Sequence, residues 1–279
     1  MTSVAVRYAT LAYGASDDLY RQTTMLMLSL LAHAPEPREL VVLTDHPDRF
    51  DWLRAAVRIE AIELSRLTSW IGPSPFSMRQ KLEAAAALMR ADAPLVFLDA
   101  DVVAVASLRQ MTDELRAGAR FMHKREFQLG SSTRKGNLRL WRDLERQQFG
   151  GFGFRPTDAM WNSGVLGLPS GDEGRIREAL SLYDAMAAAG IRHFATEQLV
   201  VAAVLERAGH LREARQWFTH YWGNKESFSR EIERRLGSYQ ERKLTPEAAA
   251  EEFLHDPIRL PVEVRLGRVA KIRKWWGRY

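Results

Sequence analysis

The sequence predicts an α/β protein with a mainly parallel twisted sheet flanked by helices. Three observations predict it. ELVVLT (Glu39–Thr44) and LVFL (Leu95–Leu98) are short continuous apolar runs, the pattern of strands buried on both faces. Strand-like and helix-like segments alternate through the first hundred residues, as βαβ units do. The chain has 279 residues, 46% of them hydrophobic, enough core for one large domain or two small ones.

Taken in order, VAVRYATLAY (Val4–Tyr13) reads as a strand and Asp17–Ala34 as a helix whose leading aspartates suit its positive end. Glu39–Thr44 follows as a strand, RFDWLRAA as a short helix and RIEAIEL as a further strand. The next helix runs through SMRQKLEAAAALMRADAP, with Ser77 and Gln80 fitting an S-x-x-Q capping box and Pro94 stopping it. After the LVFL strand the pattern is less regular. ARFMHKREF reads as a strand, Lys124–Asp158 as a long, partly structured binding loop, and WNSGVLGLP (Trp161–Pro169) as a strand. GRIREALSLYDAMAAAG and TEQLVVAAVLERAG read as helices; REARQWFTHYWGNKESF is mixed and aromatic.

Composition bounds the chemistry. The absence of cysteine excludes disulfides, zinc–thiolate sites and thiol catalysis. No signal-peptide pattern is visible, and the most apolar run, Met25–Ala34, is too short to cross a bilayer, so a soluble or peripheral cytoplasmic protein is expected. A net charge of +5 favours anionic partners or reflects an arginine-rich surface.

The LVFL strand runs into Asp99 and Asp101. In extended chain, residues i and i+2 point to one side, and the carboxyl end of a parallel strand is where open α/β sheets bind ligands. Two neighbouring carboxylates stay ionised if a cation or water screens them, and a hard divalent ion matches their oxygens. The alternative is a solvated turn. Two chemistries use such a pair. DADVV fits the D-x-D-x-[TV] box of haloacid-dehalogenase phosphatases, with Asp99 as nucleophile, but GDEG (Gly171–Gly174) lacks the second carboxylate that reaction needs. The other chemistry is metal clamping of a diphosphate leaving group.

Several segments together resemble the family 8 glycosyltransferases, which have the GT-A nucleotide-diphospho-sugar transferase fold. YATLAY, LVVLTD, QKLEA, VFLDADVVAVASL, WNSGVLGLP, TEQLVVAAVL and HYWGNK are similar, in order, to that family's elements between about Val6 and Lys225. HYWGNK has one residue fewer between Gly223 and Lys225 than the family pattern, and Glu197 stands where Asp is usual. The resemblance implies a metal-dependent, retaining transfer of a sugar from a nucleotide-sugar, a UDP-sugar, to an acceptor hydroxyl of a glycan or lipid-linked molecule. Bacterial glycan or lipopolysaccharide synthesis is the implied setting. No nucleic-acid partner is expected. A non-catalytic binding protein with the same fold is the further alternative.

On this resemblance Asp99, Asp101 and His220 hold Mn²⁺ or Mg²⁺, and Ala100 lies between the two carboxylates. His220 alone would read as a structural histidine. Lys81, Lys225 and Gly223 approach the diphosphate, though either lysine alone would read as surface. Thr10, Leu11 and Ala12 offer backbone groups to the base, and Tyr20 stacks on uracil or simply packs its helix. Arg79, Asn162, Ser163, Gly164 and Gln198 are candidates for sugar or phosphate contact. Glu197 is either catalytic or a helix cap, Asp158 and Glu197 are the bases if the reaction inverts, and the role of Asp45 is open. The domain division is a catalytic domain over 1–258 and a basic, aromatic tail over 259–279. Trp275, Trp276 and Tyr279 suit that tail to an anionic membrane surface or to docking on the core.

Overall fold

A computed structural model describes residues 4–72, 78–191 and 193–264. The elements run β1 (Val6–Ala12), α1 (Asp17–His33), β2 (Arg38–Thr44), β3 (Arg58–Ala61), α2 (Leu64–Ser69), α3 (Arg79–Leu88), β4 (Leu95–Leu98), β5 (Val102–Ala104), α4 (Arg109–Arg116) and β6 (Arg120–Gln128). They continue with α5 (Lys135–Leu144), β7 (Gln148–Phe149), β8 (Phe152–Gly153), β9 (Ala159–Leu168), α6 (Glu173–Ala188), α7 (Thr196–Ala208), β10 (Leu211–Glu213), β11 (Phe218–His220), α8 (Lys225–Glu241) and α9 (Pro246–His255).

The mixed α/β architecture expected from the sequence is present. Seven strands form one sheet in the order β10-β6-β9-β4-β1-β2-β3. Only β9 opposes the rest: it runs antiparallel to both β4 and β6, whereas the other neighbouring pairs are parallel. This orientation brings the first half of β9 to the same sheet edge as the carboxyl ends of β1, β4 and β6. All four residues of β4 and all ten of β9 are buried. Helices cover both faces of the sheet, α3, α6 and α7 on one side and α1, α8 and α9 on the other. Each fully buried Leu, Val or Phe there contributes about 1.5–3 kcal/mol.

Local chemistry explains the boundaries. Asp17 and Asp18 lie in the first turn of α1 and His33 in its last, each matching the helix dipole. Thr245 caps α9, its hydroxyl accepting from Ala248 N–H, with Pro246 at the first helical position. The capping box expected at α3 involves Ser77, which lies outside the described residues. Gln80 does other work: its amide donates to Leu67 O at 2.6 Å and its oxygen accepts from Tyr13 hydroxyl at 2.6 Å.

Three expectations change. Lys124–Asp158 is not one long loop; it contains the end of β6, α5 and the small β7–β8 pair. RIEAIEL is a strand only to Ala61, because Leu64 already opens α2. The chain past Ile258 stays with the body: Asn224 donates to Pro261 O and Val264 N–H donates to Gly223 O. Residues 265–279 lie outside the described residues, so the structure bears on only the first part of the expected tail.

Candidate active site

Asp99 and Asp101 do not sit within a strand. They flank the tight connection between Leu98, which ends β4, and Val102, which begins β5. Asp99 N–H is held by Gly164 O at 2.9 Å, so β9 anchors the turn. β5 pairs antiparallel with β11, placing His220 opposite Val102. Tyr221 N–H bonds Asp101 O at 3.1 Å. That ribbon carries a histidine from late in the chain to the carboxylate pair. One ligand atom from each of Asp99, Asp101 and His220 lies within 4.8 Å of the others.

The tautomer of His220 follows from its partners. Asn162 Oδ1 faces both Gly164 N–H at 3.0 Å and His220 Nδ1 at 2.8 Å. A backbone N–H only donates, so the Asn162 atom is the acceptor oxygen and His220 Nδ1 must carry a proton. Nε2 is left facing Asp101 Oδ1 at 3.1 Å, with a proton between them in the absence of an ion and the place for a divalent ion to take that proton's position. Outer hydrogen bonds fix metal-binding histidines in just this way. Two carboxylates and an oriented imidazole nitrogen suit a divalent ion such as Mn²⁺ or Mg²⁺, so the residues fit the expected cofactor.

Gly164 has a different role from the expected ligand approach. A Cβ built there would lie 2.4 Å from His220 Nδ1 and 2.6 Å from Cε1, so the missing side chain leaves room for the imidazole. His123, unnoticed in the sequence, packs edge-on behind His220 at 5.4 Å. Burial, then the neighbouring His220, hold its pKa down at about 4, so it stays neutral at ordinary pH.

Each carboxylate meets its own lysine: Lys81 Nζ is 2.8 Å from Asp99 and Lys225 Nζ is 2.7 Å from Asp101. Burial works against the Asp101 anion, but the His220 hydrogen bond and the charges of His220 and Lys225 more than offset it, and the pKa falls well below the usual carboxylate range. Lys81 also donates to Ser163 O at 2.5 Å and Ser163 Oγ at 3.0 Å, and lies 3.7 Å from Glu197. Burial disfavours its charge, yet Asp99 and Glu197 keep its pKa raised.

Glu197 is not a helix cap. Its side chain points inward from the first turn of α7, accepting from Ser163 hydroxyl at 3.0 Å. Oε1 is buried without a hydrogen-bond partner among the described residues. Burial raises its pKa, and Asp99 adds to the effect against the opposing pull of Lys81. Gln198 beside it accepts from Ser163 N–H at 3.4 Å and borders the cleft.

These groups line one cleft of about 1180 Å³ that crosses the sheet edge from β1 to β6. Of the residues singled out in the sequence, Leu11, Lys81, Asp99, Ala100, Asp101, Asn162, Ser163, Glu197, Gln198, His220 and Lys225 line it. Asn162 and Ser163 spend their polar groups on His220, Lys81 and Glu197, so they position the site more than they face a sugar.

Other candidates lie elsewhere. Arg79 pairs with Asp184 at 2.8 Å and Glu83 at 2.7 Å, fastening α3 to α6, and does not line the cleft. Thr10 and Ala12 are buried in the sheet, with Thr10 hydroxyl donating to Leu98 O. Tyr20 is 4% exposed, packed against Phe50 and His46 with Arg49 over its ring, which leaves no open face for a base. Its hydroxyl donates to Gly14 O, and Asp45 accepts from Gly14 N–H, so both shape the turn after β1. Gly223 is covered by Glu263 and Val262. Asp158 accepts from Arg155 N–H and Arg207 outside the cleft, which removes it as a base. Asp172, the carboxylate nearest to what a dehalogenase reaction would need, is clasped by Arg120 and does not line the cleft.

The fold and site thus define an α/β protein with a paired-carboxylate and imidazole centre at the carboxyl edge of its sheet. No protein-family model and no curated protein sequence matches the chain. Solved structures similar to it include the apo form of mouse xyloside xylosyltransferase 1, at 14% identity over 76% of this chain and 85% of that one, with a TM-score of 0.49.

Proposed function

We propose that this protein is a metal-dependent glycosyltransferase of GT-A-like fold that moves a sugar from a nucleotide-sugar, a UDP-sugar, to an acceptor hydroxyl. The observation that carries the reading is the convergence of Asp99, Asp101 and His220, with Asn162 and Gly164 holding His220 in the tautomer that offers Nε2. The three side chains would hold Mn²⁺ or Mg²⁺, which supplies Lewis-acid stabilisation of a departing diphosphate.

The chain's own groups do the rest. Lys225, with its side chain 56% exposed, has the freedom to carry its charge to a phosphate oxygen, whereas Lys81 is fixed by Asp99 and Ser163. Gln198 presents its amide to the donor sugar from the start of α7. Glu197, buried beside it, is the group available for a proton or for stabilising positive charge at the sugar. Retention of configuration is the outcome that the family 8 resemblance implies.

Calorimetric titration with UDP, with and without Mn²⁺, tests the reading. Binding that requires the metal is expected. Metal-indifferent binding, or none, together with hydrolysis of a generic phosphate ester, would move the assignment to phosphate-ester chemistry at Asp99.

We place the protein at the inner face of the cytoplasmic membrane as a peripheral protein. Six basic residues and two tryptophans in 265–279 support this, as do exposed Val262 and Val264 just before that segment. Among the described residues no helix is long and apolar enough to cross a membrane. Sedimentation with phosphatidylserine vesicles is expected to fall when Leu266–Tyr279 is deleted; unchanged sedimentation removes the idea.

A further inference from the structure

We propose that the half of the cleft beyond β9 takes an anionic acceptor, a sugar-containing molecule with a phosphate or carboxylate close to the hydroxyl it presents. The proposal rests on the transferase reading above and adds the chemical class of the second substrate.

The carboxylate pair sits at the end of β4, and β1 and α1 border the cleft on one side of it. On the other side, past β9, Lys124 and Arg125 enter the cleft from β6, opposite Asn162 and Trp161 of β9, and Arg134 enters from the residue before α5. None of these three cations has an ion-pair partner among the described residues. Buried and half-buried arginines elsewhere are matched: Arg79 with Asp184, Arg120 with Asp172, Arg207 with Asp158. Arg215, also at the cleft, is paired with Glu213. The carboxylates on this side are Glu126, next to Arg125, Glu263 across the opening, and Glu213, which accepts from Arg125 N–H at 3.0 Å as well as pairing with Arg215.

The charge distribution sharpens the point. Of 40 basic and 35 acidic residues, seven basic and three acidic fall between Lys124 and Arg146, and six basic and no acidic fall in 265–279. The remaining chain holds 27 basic against 32 acidic residues. The remaining chain is therefore slightly acidic, whereas the Lys124–Arg146 stretch carries an excess of four positive charges and supplies Lys124, Arg125 and Arg134 to this side of the cleft. Unpartnered like charges lining a concave surface repel each other and raise the local concentration of anions. An oxyanion accepting from two of them forms the stronger, charge-assisted class of hydrogen bond.

A sugar-binding surface accompanies the charge. Phe194 is 68% exposed at the cleft and stacks on His193 with ring centroids 4.9 Å apart. Trp222 and Phe194 are the aromatic members of the exposed large apolar side chains described, and both line the cleft. A flat apolar ring suits the apolar face of a sugar. Beyond His193 and Gly136 the surface continues into a second depression of about 610 Å³ bordered by Arg139, which gives room for an acceptor longer than one sugar.

The test uses full-length protein saturated with MnCl₂ and UDP, so that the donor's phosphate positions are filled. Glucose 6-phosphate, glucuronic acid and methyl glucoside then serve as phosphate, carboxylate and neutral probes in calorimetry or saturation-transfer NMR. At least one charged probe is expected to bind about tenfold or more tightly than the neutral one, and the pair identifies the oxyanion. The Lys124→Ser/Arg125→Ser/Arg134→Ser variant is expected to lose that preference while still binding UDP with Mn²⁺. Arg134→Glu, a single exposed change, provides the same readout if the triple variant does not fold. Equal binding of all three probes, or a preference that survives these substitutions, overturns the proposal alone. Absence of metal-dependent UDP binding by the unaltered protein overturns the transferase reading and this proposal with it.

Discussion

Gly164→Ala is expected to abolish metal-dependent nucleotide binding although it removes no ligand. The added methyl would meet the His220 ring at 2.4 Å, well inside contact distance. The imidazole cannot retreat freely, because His123 packs behind it and Asn162 and Asp101 hold its two nitrogens. It must rotate and lose Asn162, and with it the tautomer that presents Nε2. Loss of such an outer partner costs about 10–100-fold in metal affinity, and displacement of the ligand itself costs more. Overpacking adds ~1–3 kcal/mol of destabilisation. Calorimetry with Mn²⁺ and UDP reads the first effect and denaturant unfolding the second. In Gly164→Ala/His220→Ala the clash is relieved, so stability should recover while metal binding should not. A Gly164→Ala protein that bound Mn²⁺ and UDP normally would show that His220 is not a ligand.

Lys81→Met carries the largest expected stability loss. Lys81 joins Asp99, Glu197 and Ser163 from α3, and its side chain is only 11% exposed. Removing one partner of a buried charge cluster leaves the others uncompensated, at about 3–5 kcal/mol. Asp99 retains some solvent contact, with its side chain 32% exposed, but Glu197 does not, at 3%. Glu197, whose pKa is already raised by burial and by Asp99, should take up a proton in the variant. The destabilisation should therefore grow as the pH rises above the unfolded carboxylate range near 4.3, where the unfolded chain ionises Glu197 and the folded one resists it. Lys81→Met/Glu197→Gln should recover most of the loss and flatten that pH dependence. Urea unfolding of the parent and the two variants between pH 5 and pH 8 decides it: a Lys81→Met protein as stable as the parent would mean that the lysine is not neutralising a buried anion.

The strands at the centre of the sheet were legible because burial on both faces demands continuous apolar runs, and β2 and β4 have them. Helices α8 and α9 were not foreseen. On α8 the buried residues Phe228, Ile232, Leu236 and Tyr239 recur at helical spacing, but charged residues fill the intervals. The aromatic stretch before it divides into two three-residue strands whose ladders lie far off in sequence, β10 on β6 and β11 on β5. At the site, the residue types that converge could be read from D-x-D after a buried strand and from the late His–Gly–Lys cluster. The roles of their neighbours could not, because these depend on partners brought in by the fold. Arg79 meets Asp184 across 105 positions and His220 meets Asn162 across 58. Nothing local to Gly164 tells that its missing side chain serves an imidazole, nor does anything near Tyr20 tell that its ring is walled in by Phe50 and Arg49.

The β5–β11 ribbon has a consequence for assembly. Its two strands come from opposite halves of the polypeptide, so the proposed cation site cannot exist until the late segment has docked on the early one. An ion that binds only that docked state acts as a clasp on the folded protein, adding ~2.7 kcal/mol when present at a hundred times its dissociation constant. Synthesis would therefore have to pass His220 before the proposed site could capture an ion, which would make metal uptake a report that the β11 segment has found its place.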